Sequence, residues 1–291
     1  MGHTRYDRRH GYLLPVPIVP FVVATVTALV LAPALRASLA ENGFVRENYR
    51  GERLPFPFGV AVVAAAAVAL VPLALIYAAS DEPLQADTPS VVLTFVLGVA
   101  ALGLADDALS GASRGWRGHG AAVMSGSFST GALKAAGTLG LALWVTSGER
   151  TFGDQLLATG VLVLATNLFN LLDLRPGRSV KAFVLVGAAL MIGEGELHTF
   201  ERLGLFIGPL LVVGLFDVRE QAMLGDTGSN LTGALAGLWL VLVLGTTGQI
   251  VALVVLALIT AYGEFRSISD LVDRTPGLSH LDSIGRIRTR A

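Results

Sequence analysis

The chain has no cysteine among its 291 residues, and only 15% of them are charged. Without cysteine there is no disulfide scaffold, no thiolate zinc site and no cysteine nucleophile. A soluble domain usually carries about 25% charged residues. A formal net charge of −1 argues neither for nor against a nucleic acid, and no nucleic-acid partner is expected. Of the five histidines, His119 and His280 have no partner at metal-ligand spacing and read as loop residues, and His3, His10 and His198 carry no assignment. What the chain has is apolar surface, with 53% hydrophobic residues and a mean hydropathy of +0.65. That excludes a water-soluble globule, a disordered chain and a collagen-like one. The expectation is one integral membrane domain over 1–291, with a polar tail from about 265.

A crossing helix needs about 20 mainly apolar residues. Runs at roughly 15–36, 57–79, 89–105, 129–147, 156–172, 181–193, 203–216, 230–245 and 249–264 meet or approach that length. The fold class expected is therefore an all-α, polytopic membrane bundle of about nine helices. The sixth and seventh runs are short, and a re-entrant pair there would leave the sidedness of every other loop unchanged. The first run is too long for a signal peptide and lacks its small-residue cleavage pattern. Of the 21 Lys and Arg residues, 16 fall in alternate loops at 41–56, 106–128, 173–181 and 217–229, in the tail, or at adjoining helix ends. The positive-inside rule puts that set in the cytoplasm. Arg5, Arg8 and Arg9 dissent, and they bear on the N-terminus alone.

The chemistry-bearing residues then share one face. Asp106 and Asp107 close the third run, Asn167, Asn170 and Asp173 close the fifth, and Asp226 precedes the eighth. No Asp, Glu, Lys, Arg or His lies in the middle third of any run. Ion-coupled carriers generally place such groups at mid-depth, so an interfacial site is the better expectation than a lipid or solute transporter.

Each motif also has a plain structural explanation. Paired carboxylates at a helix C-terminus oppose the helix dipole, and Lys or Arg would make the cheaper stop signal. Asn167, Asn170 and Asp173, at i, i+3 and i+6, lie roughly along one helix face. They suit an ion or a substrate, or equally interhelical hydrogen bonds. Arg175, Arg178 and Lys181 surround a Pro-Gly turn and suit phosphate oxygens or simple membrane anchoring. In Leu224-Gly225-Asp226-Thr227-Gly228-Ser229-Asn230, glycines permit close backbone approach. Thr227, Ser229 or Asn230 can cap the helix, whose free N–H groups favour anions. Ser229, Gly233 and Gly237 at four-residue spacing read as a packing stripe.

Taken in order, these segments resemble the polyprenyl-phosphate N-acetylhexosamine-1-phosphate transferase family, which includes muramoyl-pentapeptide and N-acetylglucosamine members. The likeness runs from Asn48-Tyr49-Arg50-Gly51-Glu52-Arg53-Leu54-Pro55 and Gly59, through Gly103 to Asp107 and Lys134. It continues through Asn167, Asn170 and Asp173 to Gly225-Asp226-Thr227-Gly228-Ser229, about residues 45–235 in all. The resemblance implies a Mg²⁺-dependent enzyme of a bacterial cell membrane, its active site facing the cytoplasm. It would pass a sugar 1-phosphate from a UDP-sugar to undecaprenyl phosphate and release UMP. By the same likeness Asp226 and Asn170 hold the metal, Asp106, Asp107 and Asp173 are catalytic, the first two handling the lipid phosphate, and Lys134 neutralises phosphates. Asn167, Arg175, Arg178, Lys181, Gly225, Thr227, Ser229 and His280 fall to substrate binding.

The family's Asp-Gly-x-Asp-Gly continuation here reads Asp173-Leu174-Arg175-Pro176-Gly177, with Pro176 at the second acidic position. Met223 stands where an aromatic often precedes the metal-binding Asp, and the His-rich loop is reduced to His280. A catalytically silent relative that binds polyprenyl phosphate or partners an active enzyme is therefore the alternative. Small-residue helix faces make a homodimer plausible.

Overall fold

The computed structural model describes residues 18–80, 90–109, 129–194 and 198–286. Arg5, Arg8, Arg9, His119, Arg288 and Arg290 lie outside the described residues. All nine apolar runs are helical: α1 (Val19–Glu41), α2 (Val60–Ser80), α3 (Ser90–Leu109), α4 (Thr130–Val145), α5 (Phe152–Leu172), α6 (Arg178–Glu194), α7 (His198–Val218), α8 (Gly225–Val243) and α9 (Thr246–Phe265). Two short helices follow, α10 (Ile268–Arg274) and α11 (Pro276–Ser283). Five of these helices, α1, α2, α3, α5 and α9, are long and apolar enough to cross a membrane. The protein is thus an α-helical, multi-pass membrane protein.

Among the described residues the only strands form a small hairpin after α1. Strands β1 (Val45–Glu47) and β2 (Arg53–Pro55) pair antiparallel, with Val45 opposite Pro55 and Glu47 opposite Arg53. Its turn is built by Asn48, whose Oδ1 accepts from the N–H groups of Arg50 (2.8 Å) and Glu52 (3.0 Å). Gly51 supplies the positive φ of 77° that this turn requires. The chain leaving the hairpin is sewn to the α7–α8 connection. Met223 N–H donates to Pro55 C=O, Phe58 N–H to Met223 C=O, and Gly59 N–H to Leu224 C=O, at 2.8–3.0 Å.

α8 is the axis of the bundle, buried at Gly225 and from Thr227 through Trp239. It packs on α3, α5 and α6. The packing stripe behaves as its spacing suggests, since a Cβ at Gly233 would lie 2.6 Å from the Thr166 backbone and one at Gly237 3.2 Å from Leu162 Cα. Small residues let these helix backbones approach closely, where apolar side chains gain little by leaving lipid. α9, by contrast, buries only Leu256 and Thr260. Its Val251, Val254, Leu258 and Phe265 stay exposed, as suits a face against hydrocarbon.

Candidate functional site

Four helix ends meet at one point. Lys134, in the first turns of α4, donates from Nζ to Asp106 Oδ2 at 2.9 Å and to Asp226 Oδ2 at 2.5 Å. Asn170, near the end of α5, donates from Nδ2 to the same Asp226 oxygen at 3.3 Å and to Asn230 Oδ1 at 3.0 Å. Residues up to 124 positions apart are thus joined by their side chains, and each keeps some exposed surface except Asn230, which is buried.

This arrangement explains why the Asp106-Asp107 pair tolerates its place against the α3 dipole. Asp107 turns to the N-terminus of α8. Its Oδ1 accepts from Asp226 N–H (2.9 Å), and its Oδ2 accepts from Thr227 N–H (2.8 Å) and Thr227 Oγ1 (2.7 Å). The residue at the α8 N-cap, Leu224, offers no side-chain cap, so α3 supplies one in trans to orphan donors of that terminus. Asp106, the neighbouring residue, faces Lys134 instead. The two carboxylates read as a pair in the sequence do different work: one holds a helix and the other an ammonium.

Close backbone contact fixes the geometry. A Cβ at Gly103 would collide with the Asp226 carbonyl, and one at Gly59 would collide with the Gly228 backbone. Gly225 sits at φ 71°, and a Cβ there would meet Asp107 Oδ2 at 2.8 Å. These three glycines let α3 and the hairpin exit press on the first turn of α8.

Asp173 follows the last residue of α5, beside the cluster. Burial raises its carboxyl well above the usual carboxylate range, and the charges of Asp217, Asp226 and Asp107 raise it further. Its side chain has no hydrogen bond among the described residues, and neither does that of Asn167, six residues earlier. A carboxyl whose folded pKa is raised favours its protonated form. It therefore withdraws stability as pH rises above the ordinary value of 3.8. In chelator-treated buffer at pH 7, Asp173→Asn should raise the melting temperature by several degrees and flatten its fall with pH. An unchanged melting profile would contradict this crowding of negative charge.

The basic loop is placed differently from its expected role. Arg178 is buried and forks onto Asp282 of α11, with Nε to Oδ1 at 3.1 Å and Nη2 to Oδ2 at 3.0 Å. It also donates to Ser269 at 3.1 Å, while Lys181 Nζ donates to the Asp282 carbonyl at 2.6 Å. Arg286 Nη2 adds a third cation to Asp282 at 2.8 Å. Burial alone would raise the Asp282 carboxyl, but Arg178, Arg286 and Lys181 together hold it below the usual range. Arg178 and Lys181 thus pin α10–α11 under the α5–α6 turn instead of standing open to a ligand. Arg178→Ala leaves the buried Asp282 carboxylate with Arg286 as its one remaining side-chain partner among the described residues and should cost about 1.5–3 kcal/mol of stability. Thermal unfolding would register that loss, with the KM of any nucleotide substrate unchanged in protein that still folds.

Arg175, half-buried, instead lies against the hairpin, its guanidinium 4.7 Å from the ring centre of Tyr49. Ser229 is fully buried in α8 and its Oγ has no partner among the described residues, so packing closes it to a soluble ligand. His280 is exposed on α11. Asp217 and Glu220, not singled out from the sequence, also shape the site, as does Asn230, expected only as a helix cap. Asp217 is buried and accepts from Gly177 N–H at 2.7 Å, holding the turn after Asp173. Glu220, buried, takes Arg50 at 3.2 Å and Tyr49 Oη at 3.3 Å. Asn230 anchors Asn170.

Among the described residues no three His, Cys, Asp or Glu side chains form a metal-holding group. Mg²⁺ asks for less, often one or two carboxylates completed by phosphate oxygens and water, and the donor set here meets that. One buried atom speaks to the fit: Asn230 Nδ2 has no partner among the described residues. Turning over both amides, which are alike in shape, would let Asn230 donate to the Asn170 oxygen and satisfy it. That oxygen would then face the Asp226 carboxylate, an arrangement a cation between them would stabilise. No protein-family model matches this chain, and no curated protein is detectably similar to it.

Proposed function

We propose that this protein transfers a sugar 1-phosphate of the N-acetylhexosamine type from a UDP-sugar to undecaprenyl phosphate, releasing UMP. The observation that carries this reading is the convergence of Asp106, Lys134, Asn170 and Asp226 from four helix ends. A cation, a carboxylate pair and an amide at a helix N-terminus are what a phosphoryl transfer between two anionic substrates needs. The reading further takes all nine long helices as crossings and the site as cytoplasmic, in a bacterial inner membrane. The basic residues distributed on that face support it.

The lipid phosphate oxygen attacks the β-phosphorus of the donor. A new P–O bond forms there, the bond to the bridging oxygen breaks, and that oxygen leaves as part of UMP. Phosphoryl transfer is chiefly positioning and neutralisation of charge. Asp226 and Asn170 would hold Mg²⁺, which when bound neutralises the donor diphosphate. Lys134 meets the acceptor phosphate, Asp106 keeps Lys134 in place, and Arg175 guards the donor side of the hairpin. Asp107 fixes the α8 terminus and so acts through Asp226. A phosphate monoester loses its second proton near pH 6, so the attacking oxygen is already ionised at pH 7 and needs no strong base.

Asp106 therefore balances and positions charge. Asp106→Asn should slow turnover by about 10²-fold, by the same factor at every pH from 6 to 9. A loss confined to pH below 6 and restored above it would make Asp106 a base. The proposal as a whole is tested by incubating purified protein with undecaprenyl phosphate, Mg²⁺ and a panel of UDP-sugars. UMP release with one of them supports it. Lipid binding without UMP release from any would favour the silent relative that Pro176 suggests.

A further inference from the structure

We propose that Lys134 is a built-in placeholder for the divalent cation: its ammonium bridges Asp106 and Asp226 while the site is metal-free and is expelled when metal binds. The inference rests on the metal reading above and adds a competition within the protein. One ammonium contacts both carboxylates, reaching the same Asp226 oxygen that Asn170 contacts. No other Lys or Arg ion pair reaches Asp106 or Asp226 among the described residues. Two carboxylates facing one another in a half-buried cleft repel unless a cation lies between them. Lys134 supplies that cation from within the fold.

A divalent ion that takes the Asp226 oxygen must displace the ammonium, because like charges at such spacing repel. The freed Lys134 stays tethered to the first turns of α4, within the same cleft. A phosphate arriving there meets a cation that metal binding has just released. The bridge thus costs metal affinity in the empty protein and links metal entry to presentation of the lysine.

The test needs no turnover. Full-length protein in nanodiscs, without nucleotide or lipid phosphate, is titrated with Mn²⁺, and free Mn²⁺ is read by electron paramagnetic resonance. Lys134→Gln should bind Mn²⁺ at least about tenfold more tightly than wild type. Lys134→Arg, which keeps the charge, should stay within about threefold of wild type. Equal or weaker binding by Lys134→Gln overturns the placeholder while leaving the metal reading intact. No Mn²⁺ binding by wild type or variant overturns both.

A second measurement uses wild-type protein alone, so it survives any failure of the variant to fold. The chain has only two lysines, Lys134 and Lys181, and Lys181 is tied to Asp282 and serves as the internal reference. Saturating Mn²⁺ should raise acetylation of Lys134 relative to Lys181 severalfold in a short acetic anhydride pulse. A ratio unchanged by Mn²⁺ in protein that binds it overturns the inference.

Discussion

Asp226→Asn is expected to reduce sugar-phosphate transfer by at least about 10³-fold, with the protein still folded. Asp226 is where the proposed site has its greatest charge demand. Its Oδ2 meets both Lys134 and Asn170, and its backbone N–H is one of the donors that Asp107 caps. The substitution leaves shape and the backbone bond in place and removes only the charge. Loss of turnover without loss of melting temperature is therefore the signature. Mn²⁺ titration of the variant should show the loss of affinity directly. Activity within a few-fold of wild type, with the same Mg²⁺ dependence, would contradict the assignment of Asp226 to the metal.

Gly103→Ala is expected to be nearly as damaging, though it alters no polar group. The added methyl would overlap the Asp226 carbonyl and sit 2.8 Å from Thr227 Cα. Both obstacles are backbone, so no rotamer change relieves them, and α3 and the α8 terminus must part. Overpacking of this kind costs about 1–3 kcal/mol. Displacing Asp226 by about 1 Å can cost about 10²-fold in rate. Turnover and melting temperature should therefore both fall, whereas in Asp226→Asn only turnover does. Gly140→Ala in α4, where a Cβ meets nothing within 4 Å, serves as the helix control and should change neither.

Much of this was legible in the sequence. The apolar runs locate the nine long helices among the described residues, since stretches with no more than one charged residue each leave few alternatives, and the acidic and amide residues fall at the ends of the helices that bring them together. The hairpin was not legible as strand: three-residue strands are too short to show alternation, and the same residues read as a motif. Nor did the Asp106-Asp107 doublet reveal its division of labour. Adjacent helix residues point about 100° apart, and only the packing of α3 on α8 decides which one meets the orphan N–H groups.

The fate of Arg178 shows a second limit. Its partner Asp282 is 104 residues away, in a tail with no motif to mark it, and a basic loop reads alike whether it grips phosphate or an internal carboxylate. Arg175 and Arg178 are three residues apart, yet one lies against Tyr49 and the other is buried on α11. The Pro-Gly turn, with Gly177 at φ 71°, separates them. Sequence spacing on a helix would have placed them together.

The most direct test of the central claim follows the donor's own phosphorus. The protein is reconstituted in vesicles containing undecaprenyl phosphate and supplied with UDP-N-acetylhexosamines labelled with ³²P at the β-position, with Mg²⁺ or with excess chelator. The account predicts that label moves into the lipid fraction in step with UMP release, that chelator stops it, and that Asp226→Asn does not support it. Label that stays in the aqueous phase for every donor, while the vesicles retain folded protein, would contradict it.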